Sequence, residues 1–244
     1  MTGFIFGLTL RQLVFRKSTL LLLALAAVPL LVGLAYKLGD STESTEEFTV
    51  RVICVWLIVT TLLPLTALLF GTSVLGDELE DGTVIYLLTK PVERWRILAP
   101  KIAAAWLMTW LLALLALVSS TLLVMGGDGG SVIVAFAAAA AVGSLAYVCI
   151  FALLSIITTR ALIAGLVFVF IWEGAVSGIF EGIRYLSIRH YVLGLADWLL
   201  DVPDDALDAY VGGVTALILS AIVIVAAAVY ANKRLQRVEI REAT

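Results

Sequence analysis

Hydrophobic positions in this chain run on rather than alternate. Six apolar stretches, at residues 19–38, 52–75, 97–125, 132–158, 161–180 and 210–231, are each about 20 residues or longer, enough for a helix to cross a hydrocarbon layer roughly 30 Å thick. Only short polar segments separate them. The pattern predicts an all-α integral membrane protein with six transmembrane helices, organised as one membrane domain over residues 1–244. Ahead of the first stretch, "MTGFIFGLTLRQLVFRKS" sets Phe4, Phe6, Leu10, Leu13 and Val14 against Arg11, Arg16 and Lys17. This mixture predicts an amphipathic interfacial helix over residues 1–17. A secretory signal is the alternative, but the apolar run that follows is too long for a signal core and lacks a small-residue cleavage site, so the segment is kept in the mature chain.

Composition agrees. With 62% hydrophobic and 14% charged residues and a mean hydropathy of +1.08, the chain has too little polar surface to coat a soluble core. The net charge of −3 says less than the placement of the basic residues. With both termini in the cytoplasm, Arg11, Arg16, Lys17, Lys90, Arg94, Arg96, Lys101, Arg160, Lys233, Arg234, Arg237 and Arg241 fall inside, and Lys37, Arg51, Arg184 and Arg189 outside. Twelve against four is a clear positive-inside bias. The expected location is therefore the cell membrane, in several passes.

In that orientation the outer connections are the acidic "GDSTESTEEFT" at 39–49, the glycine turn "GGDGG" at 126–130, and a longer piece at 181–209. In the last, Tyr185, Ile188, Val192, Leu195 and Leu199 recur at helical spacing, with Tyr191 and Trp198 beside them. The segment reads as a helix lying in the outer interface or re-entering to cap an opening between spans. Trp56, Trp95 and Trp198 suit interfacial anchoring. Pro29 and Pro64 are expected to bend their spans, and Ala135, Ala139 and Gly143 form a small-residue stripe for close helix packing.

Candidate chemistry is sparse. One histidine, His190, and two cysteines, Cys54 and Cys149, are too few for a His/Cys metal cluster, and the cysteines fall at different depths as small packing residues. The phosphate-cradling pattern G-x-x-x-x-G-K-[ST], the G-x-S-x-G elbow and the H-E-x-x-H helix do not occur. No catalytic residue, metal site or cofactor of its own is expected, and nothing supports nucleic-acid binding. Glu173, twelve residues into the fifth span, costs about 2.5 to 3.5 kcal/mol at mid-bilayer. Two readings follow: a substrate-pathway residue, or part of a re-entrant turn made by Gly174, Gly178 and Gly182.

The stretch 76–96 lies between spans two and three, on the cytoplasmic side. Asp77, Glu78, Glu80 and Asp81 close span two, Gly82 permits a sharp turn, and Thr83 is a suitable N-cap. Val84, Leu87 and Leu88 then share one face, and Pro91 stops a helix of only about 10 Å. So small an apolar ridge seats in a groove of another protein or in the lipid interface; an ordinary charged loop is the plainer alternative.

The run E-x-E-D-G-T-x-x-x-L-L-x-x-P-V-x-R from Glu78 to Arg94, with Lys101 seven residues later, resembles the cytoplasmic loop of permease subunits of ABC (ATP-binding-cassette) type-2 transporters. The six-span layout, the amphipathic front helix and the segment before the last span are similar too. The resemblance implies a coupling helix over residues 82–90 seated on a separate ATPase. Glu78, Glu80, Gly82, Thr83, Val84, Leu87, Leu88 and Pro91 would form that interface, and Arg94 and Lys101 would anchor the return. It further implies an exporter built of two permease copies, a homodimer, and two ATPase subunits, with ATP and Mg on the partner. Thr89-Lys90 departs from the small residues usual before the proline. The rival readings are a membrane scaffold that docks a cytosolic protein and a secondary transporter that does not use ATP, the latter lacking an inverted repeat.

Overall fold

The computed structural model describes residues 2–39, 44–80, 93–176, 181–200, 207 and 209–241. Every regular element among them is helical. Helix α1 spans Thr2–Val14, and an extended Arg16 breaks the chain before α2, Lys17–Leu38. The break is stitched by the Thr19 hydroxyl, which donates to the Leu13 carbonyl in the last turn of α1. At its far end α2 closes with the Gly39 N–H on the Ala35 and Tyr36 carbonyls.

Helix α3 covers residues 45–80. Ser44 begins it by accepting the Glu47 N–H at 3.2 Å, and Glu46 and Glu47 place negative charge at the positive end of the helix dipole. Its middle, Thr49–Leu62, is wound wide, in i→i+5 turns. The Leu63 N–H reaches back to the Ile58 carbonyl, and the Thr60 and Thr61 hydroxyls donate to the carbonyls five residues earlier, Val55 and Trp56. From Leu63–Glu80 the turns tighten, so that Thr66 and Thr72 bond four residues back, to Leu62 and Leu68. Pro64, which has no N–H to give the ladder, lies at this switch.

Helices α4, Trp95–Met125, and α5, Gly130–Ile157, form a hairpin. Gly126 turns it with φ of 64°, in the left-handed region open to glycine. Two indoles zip the pair. Trp106 donates to the Ala141 carbonyl at 2.8 Å and Trp110 to Ala137 at 3.0 Å. Four residues forward on α4 is four back on α5, as an antiparallel pair requires. Lys37 of α2 reaches the Leu123 carbonyl near the end of α4 at 3.0 Å, satisfying a group the helix leaves open.

Helix α6, residues 161–176, is α-helical over Ala161–Val167 and wide over Phe168–Val176. After a 3-10 turn at Glu181–Leu186 comes α7, Ile188–Leu200, and then α8, Gly213–Arg241. Helix α5 is the axis of the bundle, touched by α3, α4, α6, α7 and α8, while α4 also carries α1 and α2. The contacts are made close by missing side chains. A Cβ built on Gly71 of α3 would lie 2.8 Å from the Phe151 Cβ of α5, and one on Gly165 of α6 would lie 2.1 Å from the Leu68 Cδ1. In lipid, where apolar burial drives little, such close approach is what holds helices together.

Among the described residues, four apolar stretches are long enough to cross a membrane: Ser18–Leu38, Thr45–Val74, Trp95–Ile157 and Gly213–Leu235, the third containing both α4 and α5. The fifth expected span differs. Its described part is one α-helical piece of 7 residues and one wide piece of 9, at most about 24 Å of helix, and residues 177–180 lie outside the described set. The outward faces of α2 and α8 are apolar over most of their length, with Leu20, Leu21, Leu31, Ile218, Ile222 and Val225 exposed. So continuous an apolar surface suits lipid or the apolar face of another membrane helix.

Candidate functional site

Two places gather the charged residues that the sequence marks. The first is the junction of α3 and α4. Lys101, one and a half turns into α4, is 5% exposed, and its ammonium donates to the Val74 carbonyl of α3 at 3.2 Å. Arg94 is buried at the entry to α4, while Glu93 accepts from the Trp95 indole at 3.0 Å and pairs with Arg96 at 2.9 Å. The surface-exposed Glu93 pair contributes little on its own. The Lys101 bond ties two helices together at the end bordering their connection, which is shorter than the expected 76–96 because residues 76–80 continue α3 and residues 95–96 begin α4. Glu78 and Glu80 stand in the last turn of α3, but their side chains are outside the described set. Gly82, Thr83, Val84, Leu87, Leu88 and Pro91 lie outside the described residues altogether.

The second place lies where α7 packs against the middle of α5, Val192 of α7 meeting Gly143. Glu173 sits in the wide part of α6 and is 4% exposed. Its carboxylate accepts from the Ser187 hydroxyl at 2.5 Å, the Ile188 N–H at 2.9 Å and the Arg189 N–H at 3.4 Å. These are the open donors at the beginning of α7, so the carboxylate meets both hydrogen bonds and the positive end of a helix dipole. The Arg189 guanidinium adds a compensating charge, and the fully buried Tyr147 hydroxyl of α5 lies beside the carboxylate. The three donors and the nearby positive charge offset part of the cost of burying this carboxylate.

Around this point the aromatic residues orient the segment. Tyr191 donates to the Tyr185 carbonyl at 2.5 Å, and burial, with the Glu173 charge adding to it, pushes its phenol above the ordinary range. The Trp172 indole reaches the Leu186 carbonyl at 3.3 Å. Arg184 stacks over the Tyr210 ring with 3.6 Å to its centroid, and His190 meets the same ring edge-on.

The apolar stripe expected at 181–209 is only partly the buried one. Ile188, Val192 and Leu195 are buried, whereas Tyr185 and Leu199 are exposed, and Tyr191, Leu193 and Ala196 are buried in addition. The reason is that α7 packs between α5, α8 and the wide part of α3 rather than on one flat surface. Of the small-residue stripe, Ala135 and Ala139 are buried and Gly143 receives α7: a Cβ there would lie 2.2 Å from the Val192 Cγ2. Trp56, Trp95 and Trp198 are all more than half exposed.

Ser187, Arg189 and Tyr147 escaped the sequence reading. Ser187 carried a usable signal, a serine directly before a helical periodicity. Tyr147 carried none, being one more aromatic in an apolar run.

Residues 6–229 match the family model described as "ABC-2 family transporter protein". The chain belongs to this family. It is accordingly an ABC type-2 permease subunit, a multi-pass membrane protein of a family whose permeases work with an ATPase partner. A comparison with curated proteins gave no significant match. In this ABC-2 permease the α3–α4 junction adjoins the connection whose residues carry the sequence resemblance, and the α7 seat lies against the middle of α5.

Proposed function

We propose that this chain forms the substrate pathway of an ATP-driven exporter and converts the motion of a separate ATPase into a change of helix packing. The observation that carries the reading is the family match over residues 6–229, joined to the Glu78-to-Arg94 motif. In the proposed arrangement the chain crosses the membrane six times, with both termini in the cytoplasm. Residues 1–17 lie along the inner interface, and residues 76–96 face the ATPase. Val84, Leu87 and Leu88 make the docking ridge, Glu78, Glu80, Gly82, Thr83 and Pro91 shape it, and Arg94 and Lys101 transmit its movement into α4.

The Lys101 bond to α3 supports this role, since a push on the loop then moves α3 and α4 together rather than separately. ATP and Mg bind to the partner, in a complex of two permeases and two ATPases. Closure of the ATPase pair biases the bundle between inward-open and outward-open packings, and substrate in the pathway alters ATP turnover in return. Glu173 borders that pathway and acts on it through α7, to which its oxygens are bound.

The test is co-purification in mild detergent. The wild-type permease should retain a Walker-motif ATPase, and Leu87→Asp with Leu88→Asp should release it; unchanged retention would place the docking ridge elsewhere. Retention of the ATPase without ATP-driven movement of any solute in liposomes would favour the scaffold reading instead.

A further inference from the structure

In an ordinary α-helix, residues five apart stand about 140° apart around the axis. In i→i+5 turns they come to lie nearly one above another. Thr49–Leu62 of α3 is wound in this way, so Val52 falls in line with Leu57, and Arg51 with Trp56. Glu47, in the α-helical turn just before, pairs with Arg51 at 3.9 Å. These five residues line a groove of about 300 Å³ on the surface of α3.

The groove is charged at one end and apolar at the other. Glu47 and Arg51 stand near the beginning of the apolar stretch Thr45–Val74, their side chains 62% and 70% exposed, so both belong at the polar edge of a bilayer. At 3.9 Å they are too far apart to hydrogen-bond, and the guanidinium keeps donors, and the carboxylate acceptors, to give to a ligand. Past them come Val52, Leu57 and the exposed Trp56 indole, a side chain suited to the depth where head groups give way to chains. Inward along α3 the order is therefore an anion, a cation and then apolar side chains. A phospholipid with a zwitterionic head presents the complementary order: a terminal ammonium, a phosphate, then acyl chains. An anionic head offers nothing to Glu47 but repulsion. A single turn of another protein helix, about 10–12 Å across and 5.4 Å long, takes up more volume than the groove holds.

We propose that this groove is a binding site for one zwitterionic phospholipid, with the ammonium on Glu47, the phosphate on Arg51 and an acyl chain along Val52 and Leu57 beside the Trp56 ring. The site lies at the other end of α3 from the connection to α4, and it stands whether or not that connection docks an ATPase.

The experiment compares two lipid probes on the whole permease. Nanodiscs are made with phosphatidylcholine or with anionic phosphatidylglycerol, each carrying a photoactivatable diazirine in the acyl chain, and cross-linked residues are mapped by peptide mass spectrometry. The exposed apolar face of α8, at Leu217, Ile218 and Ile222, reports bulk lipid in the same molecules. Labelling at residues 47–57 relative to that face should be about fivefold higher with phosphatidylcholine than with phosphatidylglycerol, the size of two exposed charge contacts. Glu47→Gln should bring this ratio close to one. So should the exchange of Glu47→Arg with Arg51→Glu, which keeps both charges and reverses their order. Both side chains are exposed, so neither variant touches the core. A wild-type ratio near one, or a preference that survives the exchange, overturns the site, because bulk lipid alone then covers the groove. Labelling at α8 with none at residues 47–57 also overturns it, since another protein chain then occupies the place.

Discussion

At the scale of single residues, a few polar side chains inside this bundle tie one helix to another, while serine and threonine hydroxyls such as Thr66, Thr109 and Ser120 turn back onto their own helix. Trp106 and Trp110 each give an indole N–H to a backbone carbonyl of α5 that is also part of the helical ladder. Replacing each by Phe keeps the ring and removes the donor. Interhelical hydrogen bonds in membranes average about 0.6 kcal/mol, so each single change should lower the thermal midpoint in detergent slightly and the double change about additively. A double variant as stable as wild type would show that stacking of the two rings, with 6.2 Å between centroids, does the holding. Both tryptophans could be seen in the sequence, yet their partners are backbone atoms about 30 residues away, and backbone acceptors leave no trace in a side-chain pattern. Lys101 is similar. Its charge was readable, and its attachment to Val74 was not.

At the scale of elements, the decisive positions are those with no side chain. Gly143→Ala places a methyl 2.2 Å from Val192, an overlap that costs about 1 to 3 kcal/mol. Because the obstacle is the end of a side chain, Val192→Ala in the same protein should recover part of the loss in a thermal unfolding cycle. Gly194→Ala meets the Val211 backbone oxygen at 2.1 Å instead, so it should cost more and resist rescue by any neighbouring side chain. Gly7→Ala, with nothing within 4 Å, should be neutral or slightly stabilising, as alanine is the better helix former. If all three glycines behave alike, the proposed packing of α7 against α5 and α8 is wrong. Apolar periodicity told which stretches are helices, including α7. It did not tell which side of α7 is buried, since a helix enclosed by three neighbours has no single apolar face for the pattern to mark.

At the scale of the whole molecule, the prediction concerns assembly and orientation. Nanodisc particles of the complex should have the mass of two permeases and two ATPases, and cysteines introduced near either terminus should label only from the cytoplasmic side. Labelling of the two termini from opposite sides would remove one crossing and with it the proposed placement of the 76–96 loop. Hydrophobic content, the length of the apolar stretches and the placement of lysine and arginine were enough to determine an all-helical membrane protein, because a bilayer demands long apolar helices and penalises bare backbone wherever it occurs. The motif from Glu78 to Arg94 supplied the family resemblance for the same local reason, its residues being neighbours in the chain. What the tertiary structure alone decided is the pairing: Glu173 with the beginning of α7, Val192 with Gly143, and the wide turns that aim the carboxylate. Those contacts join residues far apart in sequence, and in lipid, where every helix face is apolar, only shape and a few hydrogen bonds choose between one partner and another.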